Sequence, residues 1–270
     1  MLGDSGSTLN INRHKVDELI WLRILLLMRL AMADEWSAKN VNAFLDTVDQ
    51  GHTARCAKDS GEGGYASGFI NFGTAYGDAF QVVQDFSKTE NYSGEFDKYM
   101  DVLENYAKTG NSSTEGLDGY CEAWEKSSLN SDFYQSQVSV AWSEYNVPSQ
   151  KYAKELNARF GITRAVLYDT AITNGPGDSS GSLGGLVEST NKQFSKDKPG
   201  DSESSVSVNG YKVDEIVWLK KFLGIRLKKN GSSDKDSIDA YLYIIEKQNY
   251  DLKPPVEIPD ANGTIHTLDC

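Results

Sequence analysis

The sequence predicts a mostly α-helical fold, and three observations favour that class. Apolar residues recur every three or four positions along most of the chain, which is the period of an amphipathic helix. Alternating apolar and polar runs, which are typical of strands, are few. Turn sequences such as GNSST at 110–114 and NGPG at 174–177 separate the periodic runs. With 270 residues and 39% hydrophobic residues, the chain can bury a sizeable core.

The first predicted helix covers residues 11–33 and is strongly apolar. Asp17 and Glu18 precede its apolar run, and Arg23 and Arg29 interrupt it. These charges distinguish it from a signal-peptide core, and it is too short and too charged to span a bilayer. The later periodic runs predict helices at 35–49, 78–86, 94–108, 115–128, 131–146, 149–173, 211–228 and 235–248.

No helix is predicted for three segments that lie between or after these helices. Residues 50–68 predict a loop, and the Ser-, Gly-, Lys- and Asp-rich residues 193–207 predict a mobile surface loop. The tail from residue 251 predicts an extended segment that includes a short strand. No linker divides the chain into two separately folding domains.

Residues 11–30 recur at 208–227, with identical residues at corresponding positions, among them Trp21 and Trp218. A single repeated helix does not make a solenoid, which needs about three stacked units. We therefore interpret residues 1–33 as an extension, the end of a duplicated domain, ahead of one complete domain at residues 34–270.

Composition excludes several classes of function. The net charge is −12, and such a surface repels nucleic acid and anionic membranes. The three histidines lie near no cysteine pair, so we expect neither a zinc site nor a catalytic triad. Phosphate- and dinucleotide-binding glycine patterns are missing, and we expect no cofactor. The cysteines, Cys56, Cys121 and Cys270, allow at most one disulfide.

Two sites combine charge with an unusual setting. A glycine-rich run at residues 59–80 carries Glu62 and Asp78, and glycines let a backbone approach a ligand closely. Asp169 lies inside an apolar run, where a buried carboxylate needs a partner, and Arg226 is the natural candidate. That pair is either purely structural or also tunes an active-site carboxylate. Two carboxylates across a cleft are the minimum for hydrolysing a glycosidic bond.

Several motifs, in order, resemble one known family over about residues 40–256. The motifs are GYASG at 64–68, YGDAFQVV at 76–83, LDGY at 117–120, RAVLYDT at 164–170, NGPGD at 174–178, DE at 214–215 and NYDL at 249–252. In this order the sequence resembles the family 46 chitosanases of the lysozyme-like superfamily. The resemblance implies a two-lobed lysozyme-like chitosanase fold, mostly α with little β, and a substrate cleft between the lobes. It also implies an inverting endo-hydrolase that binds chitosan or glucosamine oligomers and is a secreted monomer.

The resemblance assigns roles to individual residues. Asp46 takes the place of the general acid, where the family has a glutamate, and Glu62 that of the general base, where the family has an aspartate. Asp169 and Arg226 fall in a buried ion-pair network. The residues expected to bind substrate are Tyr65, Asp78, Asp214 and Glu215.

Because Asp46 replaces a glutamate and Glu62 replaces an aspartate, two further interpretations stay open. One is a degenerate homologue that binds amino-sugar polymers without cutting them. The other is an α-helical interaction protein whose resemblance is only ancestral, and it predicts no binding of chitosan.

Overall fold

A computed structural model of the chain describes residues 53–59, 63–259 and 263–268. The helices predicted at 11–33 and 35–49 lie outside these residues, as do the N-terminal extension, Asp46 and Glu62. No helix in the described residues is long and apolar enough to cross a membrane.

Helices dominate the described part of the chain, and the strands are short. The helices are α1 Asp78–Phe86, α2 Met100–Thr109, α3 Tyr120–Ser127, α4 Ser131–Ala141, α5 Val147–Leu156, α6 Gly161–Asn174, α7 Leu183–Asn191, α8 Glu215–Asn230 and α9 Lys235–Glu246. Shorter helical turns lie at Asp97–Tyr99, Trp142–Asn146 and Gly231–Asp234. The strands are β1 Cys56–Lys58, β2 Tyr65–Ser67, β3 Phe72–Gly73, β4 Ser205–Val208, β5 Tyr211–Asp214, β6 Val256–Pro259 and β7 Ile265–Leu268.

The glycine-rich run forms a small antiparallel sheet rather than a plain loop. Strand β2 pairs with β1 on one side and β3 on the other, with Cys56 opposite Ser67 and Ser67 opposite Phe72. The prediction of a loop at 50–68 was wrong for these strands. Strands of two or three residues are too short to show the alternation that identifies a strand in sequence.

Aromatic rings fill the interior beside this sheet. Phe133 of α4 has its ring centroid 4.8 Å from that of Trp124 and 5.0 Å from that of Phe86. Phe96 stacks on Phe133, with ring centroids 5.5 Å apart. None of these four side chains is exposed to solvent. A disulfide between Cys56 of β1 and Cys121 of α3 ties the sheet to this aromatic core.

The predicted helix at 149–173 is two helices in the structure. Asn157 ends α5 in the left-handed conformation, with φ of 56°, and α6 begins at Gly161. Asparagine tolerates this conformation better than most residues, because its short polar side chain can hydrogen-bond locally. Helix α6 is buried over most of its length and packs against α5, α7 and α9.

A hairpin replaces part of the predicted loop at 193–207 and the start of the predicted helix at 211–228. Strands β4 and β5 pair antiparallel across Asn209 and Gly210, which have φ of 51° and 84°. An Asn-Gly turn with both φ values positive is the turn that suits a two-residue hairpin. Helix α7 was also not predicted, whereas α1 has the predicted limits of 78 and 86. The tail is extended as predicted and forms the β6–β7 pair.

Candidate functional site

Asp59 is hydrogen-bonded to Gly63 and Gly64, which lie on the other side of residues 60–62 in the chain. The Asp59 N–H donates to the carbonyl oxygen of Gly64 at 2.8 Å, and the Gly63 N–H donates to Asp59 Oδ2 at 3.2 Å. A Cβ atom at position 63 would lie 2.6 Å from Asp59 Oδ2, so a larger residue there would displace the Asp59 carboxylate. Glu62 itself lies outside the described residues. Its neighbour Gly63 is therefore fixed in place by Asp59, a residue that the sequence did not single out.

Asp78 lies at the start of α1 and is only 6% exposed. Its Oδ1 accepts hydrogen bonds from the N–H groups of Gly73, at 2.8 Å, and Ala79, at 2.9 Å. Its Oδ2 accepts one from the Tyr145 hydroxyl at 2.6 Å. Burial raises the pKa of Asp78 to about 6, although these three donors favour the ionised form and lower it. The carboxyl group thus connects β3, α1 and the helical turn that contains Tyr145.

Tyr65 is half-buried on β2. Its ring stacks on that of Tyr120, with centroids 5.7 Å apart, and its N–H donates to Thr74 Oγ1 at 3.1 Å. Burial, the largest influence, raises the pKa of Tyr120, whose hydroxyl lies 3.2 Å from Ser67 Oγ. The surface of Tyr65 that stays accessible is compatible with its predicted contact with substrate.

Asp214 and Glu215 both have internal partners at the start of α8. Asp214 Oδ1 accepts from the Val217 N–H at 2.8 Å and caps the helix. Glu215 is fully buried, and its two oxygens accept the N–H groups of Arg159 and Phe160, each at 3.0 Å. Backbone hydrogen bonds thus occupy both carboxylates, and Glu215 fixes the residues that lead into α6. Their contact with substrate stays a prediction.

Asp169 and Arg226 form a buried salt bridge, with Arg226 Nη2 2.7 Å from Asp169 Oδ2. Asp234 forms a second salt bridge with Arg226. Its carboxylate accepts hydrogen bonds from Arg226 Nε at 2.6 Å and from Nη2 at 2.7 Å. Thr170 Oγ1 accepts from Nη1 at 2.8 Å. Burial alone would lower the pKa of Arg226, but Asp169 and Asp234 raise it above its usual value. The guanidinium therefore stays charged inside the protein.

Three of these groups could not be identified from the sequence. Asp234 lies in a polar turn and Tyr145 in a run of aromatic residues, where neither stands out. Asp59 is one of many acidic residues in the chain. Only the fold shows which of these side chains meet Arg226, Asp78 and Gly63. The described residues contain no cluster of His, Cys, Asp and Glu that could hold a metal ion.

Comparison with known proteins places these features in a family. The model of glycosyl hydrolase family 46 matches residues 52–256. A chitosanase from Bacillus subtilis (strain 168) is 30% identical over 206 residues, which cover 72% of this chain and 70% of that protein. A chitosanase from Nocardioides sp. (strain N106) is 29% identical over 202 residues, covering 72% of this chain and 66% of that protein.

A solved structure also resembles the fold. The Gynuella sunshinyii chitosanase, in complex with chitotetraose, matches with a TM-score of 0.73 at 24% identity, over 92% of this chain and 98% of that chain. This likeness confirms the predicted mostly α, lysozyme-like fold with little β.

Proposed function

The chain belongs to glycosyl hydrolase family 46, and from that premise we propose that it hydrolyses β-1,4 linkages within chitosan chains by inversion. The observation that carries the proposal is the match to the family over residues 52–256, supported by chitosanase relatives of up to 30% identity. The substrate is a polycation, and the net charge of −12 favours its approach.

Inversion needs two carboxyl groups with different tasks. One, protonated, gives its proton to the leaving glycosidic oxygen, and the other, ionised, removes a proton from the attacking water. We assign the first role to Asp46 and the second to Glu62. In inverting enzymes the two groups stand roughly 6.5–9.5 Å apart, which leaves room for the water.

The surroundings of residue 63 support the assignment of Glu62. A general base must be held within a fraction of an ångström, since a displacement of about 1 Å can lower the rate on the order of 10²-fold. The Asp59 carboxylate and the Gly64 carbonyl fix the backbone on both sides of residues 60–62. Asp59 therefore acts as a positioning residue for the segment that carries Glu62.

An assay of reducing ends released from soluble chitosan tests the proposal. We expect Glu62→Gln and Asp46→Asn each to lower kcat by at least about 10²-fold, because each removes a proton-transfer step. The matched controls are Glu104→Gln and Asp85→Asn, which change the same groups in exposed ion pairs. Proton NMR of the first product should show the α-anomer, and a β-anomer would contradict inversion.

A second candidate function is binding without hydrolysis. The exchange of aspartate and glutamate at both catalytic positions favours it, because each exchange moves a carboxyl group by the length of one methylene. Saturable binding of chitosan oligomers by a wild type that releases no reducing ends would establish it. The absence of both binding and hydrolysis would exclude both candidates.

We also propose that the protein is secreted, as a polymeric substrate outside the cell requires. The disulfide between Cys56 and Cys121 supports export, because such bonds persist in oxidising compartments and are rare in the cytosol. Cell fractionation with an antibody against the protein tests this, and recovery only from the cytosol would contradict it.

A further inference from the structure

Tyr76 is an exposed aromatic residue in the glycine-rich run, two residues before Asp78. Its side chain is 67% exposed, although tyrosines in folded proteins are usually at least partly buried. In the described part of the chain, the one other exposed tyrosine is Tyr211 of β5, at 38%. Single exposed aromatic residues are common, so exposure alone does not indicate a function. The position of the ring in the fold is what distinguishes Tyr76.

The ring of Tyr76 lies beside two glycines of the same run. A Cβ atom on Gly73 would lie 2.5 Å from Cδ2 of the ring, and a Cβ atom on Gly63 would lie 3.4 Å from its Cε2. A larger residue at position 73 would therefore displace the ring. Gly63 directly follows Glu62 in the chain. The exposed ring is thus next to the residue that follows the proposed general base.

Backbone hydrogen bonds hold Tyr76 in this position. The Ala75 N–H donates to the Gly63 carbonyl oxygen at 3.2 Å, and the Tyr76 N–H donates to the Gly73 carbonyl oxygen at 3.1 Å. The Gly73 N–H in turn donates to Asp78 Oδ1 at 2.8 Å. The main chain at Tyr76 is therefore tied to Gly63 through its neighbour and to Asp78 through Gly73.

Gly77 allows a turn between the exposed Tyr76 and the buried Asp78. Its φ of 88° lies in the left-handed region that glycine adopts readily. A Cβ atom on Gly77 would also lie 3.2 Å from the Cβ atom of Ala107 in α2, so the turn packs closely against that helix. Of residues 76–78, Tyr76 is the one whose side chain is exposed. A ligand that approaches this turn therefore meets the tyrosine ring.

We propose that the Tyr76 ring binds a glucosamine unit of the substrate beside Glu62 and attracts the ammonium group of that unit. The face of a tyrosine ring is negative, and a cation within about 6 Å of the ring centroid is attracted to it. The ring also offers apolar surface to the C–H groups of the sugar. This assignment rests on the proposed function, because it takes the glucosamine polymer as the ligand, and it adds Tyr76 to the residues expected to bind substrate.

Calorimetric titration with a hexamer of glucosamine tests the role of the ring. All proteins in this titration carry Glu62→Gln, so that the hexamer is not consumed. We expect Tyr76→Ala to weaken binding by about three- to thirtyfold, the range of a cation–π contact. Tyr76→Phe keeps the ring and should bind within about twofold of the parent. The matched control is Tyr211→Ala, which removes the other exposed tyrosine and should bind as the parent does.

Steady-state kinetics with Glu62 intact separates contact with substrate from support of the turn. Loss of a contact that is equally strong in the ground state and the transition state raises KM and leaves kcat unchanged. We therefore expect Tyr76→Ala to raise KM while kcat stays within about threefold of the wild type. A fall in kcat at unchanged KM would overturn the assignment, because the ring would then only support the segment next to Glu62. Circular dichroism verifies that each variant is folded.

A hexamer with half of its units acetylated tests recognition of the ammonium group, because an acetamide is neutral. Tyr76→Ala should lose less affinity for this hexamer than for the glucosamine hexamer, and an equal loss would overturn the attraction of the ring to the ammonium group. If the parent protein binds no glucosamine oligomer, the proposed function fails together with the role of Tyr76. If the parent binds the hexamer and Tyr76→Ala binds it equally well, the role of Tyr76 is overturned and the proposed function is not.

Discussion

The region around α3 and α4 is held together by aromatic rings, whereas the region where α6, α8 and α9 meet surrounds a buried guanidinium. In the first, Phe133 packs against Trp124 and Phe86 without any charge. In the second, Arg226 has Asp169 at 2.7 Å and Asp234 at 2.6 Å, and its side chain is not exposed. Packing tolerates a residue of similar size, but a buried charge does not tolerate the loss of its partner. The two regions should therefore respond differently to substitution.

The largest effect is expected at Arg226. Arg226→Met removes the cation and leaves Asp169 and Asp234 buried without it, which should lower the free energy of unfolding by about 3–5 kcal/mol. Urea unfolding at pH 7 measures this. The triple variant Asp169→Asn/Arg226→Met/Asp234→Asn should recover much of the loss, because no charge remains unpaired. A loss below about 1 kcal/mol in the single variant would show that the network matters little to stability.

A graded response is expected in the aromatic region. Phe133→Ala should cost about 3–4 kcal/mol, through lost burial and a cavity between Phe86, Phe96 and Trp124. Phe133→Leu keeps most of the volume and should cost less than about 1.5 kcal/mol. Urea unfolding of both variants gives the ratio of the two costs. If Phe133→Leu cost as much as Phe133→Ala, the distinction between the regions would be contradicted. Packing that depends on volume should lose less stability when most of the side-chain volume is kept.

The disulfide belongs to the aromatic region alone. Cys56 and Cys121 are 65 residues apart, and Cys56→Ser/Cys121→Ser should lower the free energy of unfolding by about 2–4 kcal/mol. The control is the wild type under reducing conditions, which should be destabilised to the same degree. Hydrogen exchange should accelerate more in β1–β3 and α3 than in α8. Uniform acceleration would mean that the two regions open together.

The repeated segment shows which structural features a sequence pattern can indicate. The positions of α8 that match residues 11–30 include Trp218, Leu219, Leu223 and Arg226, and all four are buried. Within α8 the repeat therefore keeps several of the residues that the fold buries, whereas the pairing of Arg226 with Asp169 was predicted from the apolar run around Asp169. The interpretation of residues 1–33 as the end of a duplicated domain stays a prediction.

Predictions failed for two reasons: tertiary packing decided the outcome, or one local signal was given more weight than another. Nothing in the composition near Asn157 distinguishes a left-handed break from a continuing helix. The Asn209-Gly210 turn was a readable hairpin signal, but the apolar period of α8 extended the predicted helix across β5. Contacts such as Asp234 with Arg226 join segments that only tertiary packing brings together. Asp46 and Glu62 remain predictions, because they lie outside the described residues.

The smallest change in stability is expected from the titration of Asp78. It is a buried carboxyl group in the aromatic region, so it tests the comparison most specifically. Its partners are the N–H groups of Gly73 and Ala79 and the Tyr145 hydroxyl, and no described cation lies at ion-pairing distance. Burial therefore raises its pKa from 3.8 to about 6, whereas Arg226 keeps its charge among carboxylates. Over this pH range the folded state binds more protons than the unfolded state, so stability falls as pH rises.

The expected size of this effect is roughly 2 kcal/mol between pH 4 and pH 7, since one pKa unit corresponds to 1.36 kcal/mol. Asp78→Asn does not titrate, so its stability should vary less with pH. Its amide oxygen can accept from the Gly73 and Ala79 N–H groups, and its amide NH2 can donate to the Tyr145 hydroxyl oxygen. Subtracting the unfolding free energies of the two proteins at each pH isolates the titration of Asp78, and Asp85→Asn serves as the exposed control. A difference that stays constant with pH would mean that the three donors offset the effect of burial and leave the pKa of Asp78 at its unfolded value. A buried carboxylate in the aromatic region would then need no cation, and the contrast with Arg226 and its partners would disappear.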